Sequence, residues 1–352
     1  MKKIIAMILA LVMVLAMTAC GAPAKKDTYT VGICQIQTHP ALDAATQGFK
    51  DALVEALGED KVTFQDKDAG GEFVNCGSIM DGFVAENVDL ILANATAPLQ
   101  AAASATADIP ILGSSITDYA TALNIENWTG TVGRNISGTS DLAPLDEQAA
   151  MIKELFPDAK NVGLLYCSAE PNSAYQINVV EGYLTEMGFA CTQYAFNDAN
   201  DLASVTQAAC DESDVIYIPT DNTAAANSET IANVVIPAGV PVVAGEGGIC
   251  AGCGVVTLSI DYYDLGYATG KMAAKVLTGE ANISEMPVEY APQVTNMYNA
   301  AVRTNHSTDA MCNVCALEYC GQLWTTNTSH TACCTGAATA DAAFDNICPR
   351  QN

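Results

Sequence analysis

The sequence predicts an α/β protein of two similar lobes, each with its own parallel sheet, facing each other across a crevice. Three observations carry that expectation. A stretch occurs twice, over 31–58 and 162–188. Each copy opens on a short apolar run (Val31-Gly32-Ile33 and Val162-Gly163-Leu164), passes a polar loop holding Pro40 or Pro171, and enters an amphipathic helix. The offset is constant: Val31 and Val162, Gly32 and Gly163, Pro40 and Pro171, and Leu53 and Leu184 all stand 131 residues apart. The continuations match too. Asp89-Leu-Ile-Leu-Ala leads to Ile109-Pro-Ile-Leu-Gly, and Asp214-Val-Ile-Tyr-Ile leads to Val240-Pro-Val-Val-Ala. A repeated strand–helix order at such spacing means one architecture used twice.

The elements follow in order. Thr28–Cys34 runs apolar as a buried parallel strand does. Leu42, Ala45, Phe49, Ala52, Leu53, Ala56 and Leu57 recur at helical spacing, and Gly58 ends that helix. Val62–Phe64 reads as a strand, Cys76–Ala85 as a helix, Val88–Ala93 as a strand, Ala95–Ala107 as an alanine-rich helix and Ile109–Leu112 as a strand. Thr117–Asp141 has no period and is read as the first crossing between the lobes. Leu145–Phe156 is helical, stopped by Pro157. The second lobe repeats the order, with strands Val162–Tyr166, Ala190–Phe196, Val215–Ile218 and Val240–Ala244. Its helices are Ser173–Met187, Ser204–Cys210 and Ala224–Val235. Gly245-Glu-Gly-Gly opens a glycine-rich segment expected to return to the first lobe, before a helix at Tyr262–Leu277 and a short strand at Val288–Ala291. On this reading 28–118 and 247–265 form the first lobe with the hinge, and 135–246 with 266–300 form the second.

The first 20 residues stand outside the fold. Met1-Lys2-Lys3 is a basic start, and Ile4–Met17 is an apolar run short for a membrane span. Met17-Thr18-Ala19-Cys20 places small residues before a cysteine, as a bacterial lipoprotein signal does. Cys20 is thus the expected lipid-bearing residue, 21–27 the tether and the location extracytoplasmic at the membrane; an ordinary cleaved secretory signal is the alternative. The remaining length exceeds what one core usually serves, in keeping with two lobes. A net charge of −26 argues against a nucleic-acid partner, which needs clustered Lys and Arg.

The strand-end rule for open parallel sheets names the ligand candidates: ligands sit beyond the carboxyl ends of strands, where loops and helix N-termini converge. In the first lobe these are the Gln35–His39 loop with Gln35, then Asn94, Thr96, Ser114 and Ser115. The second lobe offers Ser168, Glu170, Asn172 and Ser173, then Asp221 and Asn222, then Glu246. Each is also an ordinary helix-capping residue, so the alternative for any one of them is a cap. As a set they suit a zwitterion. Thr96, Ser114 and Ser115, beside a helix N-terminus, would hold a carboxylate. Asp221 or Glu246 would face an ammonium from the opposite lobe; an Asx-turn is the other reading of Asp221. Splitting the charges between lobes would make closure depend on ligand.

Thr46-Gln-Gly-Phe-Lys-Asp-Ala-Leu, Asp89-Leu-Ile-Leu-Ala-Asn-Ala-Thr, Tyr166-Cys-Ser-Ala-Glu-Pro-Asn-Ser, Ile218-Pro-Thr-Asp-Asn-Thr and Tyr262-Tyr-Asp-Leu-Gly-Tyr-Ala-Thr-Gly carry a resemblance. With the leader and the duplicated lobes, they make the chain from Thr28 to about Asn299 resemble ABC-importer substrate-binding lipoproteins. The group is the one containing the tryptophan-binding proteins of Gram-positive bacteria. The resemblance implies a type I periplasmic-binding fold, with two Rossmann-like lobes on a three-strand hinge closing over a small ligand. It further implies a monomer that hands an amino acid, aromatic by analogy, to ABC permease subunits, without cofactor, metal or catalysis. A ligand-sensing lipoprotein with no transporter is the alternative within binding proteins.

Two cysteines offer an enzyme alternative. Cys34 and Cys167 each close the first strand of their lobe, and two cysteines across a pseudosymmetric crevice could work as a racemase pair. Neither has a basic neighbour in sequence to lower its pKa. Cys250-Ala-Gly-Cys253 has redox or zinc spacing, but lies among glycines and has no second pair at matching spacing. The tail, 301–352, departs from everything before it. Lys disappears, periodicity ends, and six cysteines (Cys312, Cys315, Cys320, Cys333, Cys334 and Cys348) join His306 and His330. It reads either as a metal-binding appendix or as the product of a reading-frame change near Ala301.

Overall fold

Strand and helix alternate through the computed structural model, which describes residues 26–291 and 293–299. The first run is β1 (Tyr29–Gln35), α1 (Pro40–Leu57), β2 (Val62–Asp68), α2 (Phe73–Glu86), β3 (Leu90–Asn94), α3 (Thr96–Ala105), β4 (Ile111–Ile116), α4 (Tyr119–Leu123) and β5 (Ile136–Ser140). The second run opens with α5 (Leu145–Leu155), β6 (Asn161–Cys167), α6 (Pro171–Glu186), β7 (Ala190–Phe196), α7 (Ala199–Glu212) and β8 (Val215–Ile218). It continues with α8 (Asn222–Ala226), α9 (Ser228–Ala238), β9 (Val242–Ala244), α10 (Gly247–Gly252) and β10 (Val256–Ile260). α11 (Tyr262–Leu277), β11 (Glu289–Tyr290) and β12 (Val294–Tyr298) follow.

The strands form two six-stranded sheets, in the orders β11-β5-β4-β3-β1-β2 and β12-β10-β9-β8-β6-β7. All pairs are parallel except β10 with β12. Apolar side chains cover both faces of each sheet, as crossover helices require. In the first lobe Phe49, Leu53 and Met272 pack on one face, and Met80, Phe83 and Leu99 on the other. In the second lobe Ile177, Val180 and Leu184 lie on one side, and Leu202, Ile231 and Val235 on the other. The two-lobe α/β architecture read from the duplication is the one observed.

Sheet membership moves the expected boundaries. β5, inside the segment read as an aperiodic crossing, is a strand of the first sheet, and β10, expected to return to the first lobe, belongs to the second. α11 goes the other way, lying along α1 of the first lobe. That docking has a steric basis. A Cβ at Gly48 would overlap the Tyr263 carbonyl, one at Gly266 the Ala45 carbonyl, and one at Gly270 the Phe49 carbonyl. Glycine at these three places lets the two helix backbones touch. The chain therefore crosses between lobes after β5, after β10 and between β11 and β12.

The leader, Cys20, most of the 21–27 tether and the 301–352 tail lie outside the described residues. Among the described residues, no helix is long and apolar enough to cross a membrane.

Candidate functional site

The carboxyl ends of the two sheets face one another. His39, after β1, meets Asn222, after β8, through Nε2···Oδ1 at 3.3 Å. Asp141, after β5, accepts a 3.0 Å hydrogen bond from the Tyr262 hydroxyl, which heads α11 just past β10. These two contacts mark the mouth and the hinge of one crevice.

Most second-lobe candidates are committed to their own lobe. Glu170 accepts from Asn222 N (3.1 Å) and Nδ2 (2.7 Å), from Thr223 N (2.8 Å) and Oγ1 (2.7 Å), and from Asn172 Nδ2 (3.1 Å). It thereby clamps the start of α8. Asp221 caps α8 through Ala224 N at 2.8 Å and takes Cys167 N at 2.7 Å. Burial, then the Glu170 charge, pushes Asp221 upward. Glu246 caps α10, accepting from Gly248 N (2.6 Å) and from Ile249 N. Ser168 donates to Phe196 O at 3.0 Å, and Ser173 is fully buried beside Asn172. The two acids expected to face an ammonium thus have both oxygens on backbone N–H groups: their capping role is the structural one.

The first lobe divides differently. Gln35 donates to Gln37 O (2.9 Å) and Asp43 (2.7 Å) and accepts from Thr46 (2.7 Å), holding the β1–α1 loop. Ser114 takes a 3.3 Å hydrogen bond from Thr269 of α11, which places it in the helix-packed interior. Asn94 donates to Leu42 O (2.9 Å) and Thr46 Oγ1 (3.0 Å), while its Oδ1 is buried without a partner. Ser115 is buried with its Oγ unpartnered. Its φ of 57° is the left-handed conformation a serine adopts only under constraint, where β4 slips register against β5. Beside it, Thr96 begins α3 behind Ala95, an N-cap residue with φ 101° and no side chain able to cap. The first N–H groups of α3 therefore have no side-chain acceptor, the condition under which a helix start receives an anion.

Asp141, at the end of the segment expected to cross between the lobes, is a site residue that the strand-end rule did not name. Asp141 is buried, and its second oxygen, Oδ1, has no partner, as is true of His39 Nδ1. Burial pushes the Asp141 carboxyl up to about 6, the Tyr262 and Thr117 hydroxyls acting against that and the Glu246 charge adding to it. Burial also raises Glu246, with His39 opposing. Tyr262 is driven well above its ordinary value, first by burial and then by Asp141 and Glu246. Two carboxyls and a phenol are thus held together out of water, where a cation would relieve all three.

Thiol chemistry has no support in the crevice. Cys167 donates to Asn197 O at 3.3 Å, and burial raises its pKa to about 12; Cys34 lies inside the first lobe and its thiol is raised as well. No group of three or more metal-ligating side chains gathers among the described residues.

A family model described as ABC transporter substrate binding protein matches residues 30–307. The chain belongs to that family. As a substrate-binding protein it is 31% identical over 304 residues to a tyrosine-binding protein of Clostridioides difficile strain R20291, covering 82% of this chain and 87% of the relative. The crystal structure of an ABC domain in complex with L-Trp from Streptococcus pneumonia superposes with a TM-score of 0.75 at 30% identity, over 79% of this chain and 94% of that one. A ligand-free, open substrate-binding protein with adhesive properties from Clostridium difficile gives 0.62 at 30% identity, over 80% and 96%. These relatives are binding proteins and not enzymes, and substrate-binding proteins of this family work outside the cytoplasm.

Proposed function

We propose that the crevice captures a free α-amino acid with an aromatic side chain, and that the protein, lipid-anchored through Cys20, delivers it to an ABC permease. The observation that carries this reading is a pair of buried, unpartnered atoms on chemically opposite groups: Asp141 Oδ1 at the hinge and Ser115 Oγ beside the uncapped start of α3. A buried polar atom left without a partner costs about 1–3 kcal/mol, more where a charge is involved. An ammonium on Asp141 and a carboxylate on Ser115, Thr96 and the α3 N–H groups would satisfy both at once. The aromatic side chain is drawn from the relatives, one named for tyrosine and one bound to L-Trp. The structure resembles the L-Trp complex more than the open, ligand-free relative, in keeping with the His39–Asn222 contact between lobes.

A thermal-shift panel tests the ligand class, because a ligand that binds only the folded state raises Tm with concentration. L-tryptophan and L-tyrosine should raise it and myo-inositol should not; a rise with sugars and none with amino acids would end the proposal. Delivery is tested by uptake of labelled amino acid into cells lacking this protein. Anchoring is tested by labelled fatty-acid incorporation, lost in Cys20→Ala.

A further inference from the structure

Besides Asp141 Oδ1 and Ser115 Oγ, the crevice holds a further buried atom without a partner, His39 Nδ1. His39 ends the loop after β1, immediately before α1, and is only 6% exposed. It does not cap α1, since no side-chain bond joins it to the helix start. Instead its Nε2 reaches across the crevice mouth to Asn222 Oδ1 at 3.3 Å. The neighbours of that contact assign the ring proton. Glu170 accepts from Asn222 Nδ2 at 2.7 Å and from Asn222 N at 3.1 Å, so the amide nitrogen is held on the carboxylate and the amide oxygen faces His39. An amide oxygen can only accept, which puts the ring proton on Nε2. In the neutral ring Nδ1 is then a lone-pair acceptor, buried away from water and from every donor among the described residues. Such an atom calls for a donor on the ligand. The ammonium and the carboxylate already have their places, at Asp141 and at Ser115 with the start of α3, so the donor belongs to the ligand's side chain.

We propose that His39 determines the specificity of the crevice: Nδ1 accepts from a phenol O–H or an indole N–H, so the protein selects aromatic amino acids that carry a ring donor and discriminates against phenylalanine. The inference rests on the amino-acid reading of the crevice and deepens it. A ligand of the same shape without the donor leaves a buried acceptor unsatisfied, and should lose affinity on the order of 10- to 100-fold. A donor at Nδ1 also polarises the ring and strengthens its Nε2–H bond to Asn222, so recognition of the side chain favours contact between the lobes.

The test is calorimetric titration of the full chain with two matched pairs of ligands. L-tyrosine is set beside L-phenylalanine, and L-tryptophan beside 3-benzothienyl-L-alanine, in which sulfur replaces the indole N–H. In at least one pair the member with the donor should bind on the order of 10- to 100-fold more tightly. His39→Leu keeps the bulk and removes the acceptor. It should weaken the donor-bearing ligand and bring the two members of that pair to within about threefold, a loss of selectivity that a merely structural role would not produce. Equal affinity within every pair that binds, or a preference that His39→Leu leaves intact, would overturn this inference while the amino-acid reading stands. Binding of none of the four ligands would end that reading and this inference with it. The pairs on the unmutated protein decide the matter if His39→Leu fails to fold.

Discussion

Replacing Asp141 with Asn removes one charge from the hinge and almost no volume. In the ligand-free protein that charge is a burden: burial holds the carboxyl at about 6 against an ordinary 3.8. At 1.36 kcal/mol for each tenfold change in proton affinity, the rise from 3.8 to about 6 makes ionised Asp141 cost about 3 kcal/mol once the pH is well above 6. The sign follows from linkage. A carboxyl whose folded pKa is raised binds its proton more tightly in the native state. Its contribution is therefore fully present below about pH 4 and lost as pH rises through 6. Ligand-free Asp141→Asn should then be more stable than the parent at pH 7.5, by up to about 3 kcal/mol, and equal to it near pH 4. Binding reverses the ranking. The parent must ionise Asp141 to meet an ammonium, so its Kd should be flat above pH 7 and weaken up to tenfold per unit below 6. The Asn variant should bind on the order of 100-fold more weakly at pH 7.5, with little pH dependence. Urea denaturation without ligand and calorimetric titration with L-tryptophan, each from pH 4 to 8, read both halves. A variant that is less stable at pH 7.5 and binds normally would refute the assignment of Asp141 to the ammonium.

Three further substitutions separate binding from architecture. Ser115→Ala should weaken amino-acid binding about tenfold or more while leaving ligand-free Tm within a degree or two, because its Oγ has no protein partner to lose; titration and a melting curve read this together. Glu170→Ala strips the acceptor from the start of α8 and should cost about 2–4 kcal/mol in urea denaturation, a stability loss that exceeds any direct effect on ligand contact. Gly266→Ala drives a Cβ into the Ala45 carbonyl and should separate α11 from α1, lowering stability by about 2 kcal/mol or more; an unchanged midpoint would contradict the docking of α11.

The duplication was legible because buried parallel strands such as Val31–Ile33 and Val162–Leu164 are apolar on both faces, and α1 carries a helical stripe. β5 was not. Its sequence, Ile-Ser-Gly-Thr-Ser, has one apolar residue, and it is held by contacts that local pattern cannot report. Tyr119 donates to Thr139 O at 3.2 Å, and Thr139 and Thr269 share a hydrogen bond of 2.8 Å. The exchange of β10 and α11 between lobes escaped for a similar reason, although Gly266-x-x-x-Gly270 opposite Gly48 was a readable sign of two helices in backbone contact. In the site, composition alone could not separate caps from ligand groups. Asp221 and Glu246 look like ion-pair partners on paper and are N-caps in the fold. Asp141 ended an aperiodic segment, and its significance depends on Tyr262, 121 residues away.

The most direct test of the central claim is calorimetric titration of the full chain at pH 7.5 with L-tryptophan and L-tyrosine beside their N-acetyl and carboxamide derivatives. The account predicts that at least one free amino acid binds and that blocking either its ammonium or its carboxylate abolishes the heat. Equal binding of an N-acetylated or amidated form would contradict it, because one of the two unpartnered atoms, Asp141 Oδ1 or Ser115 Oγ, would then have no charged group to meet.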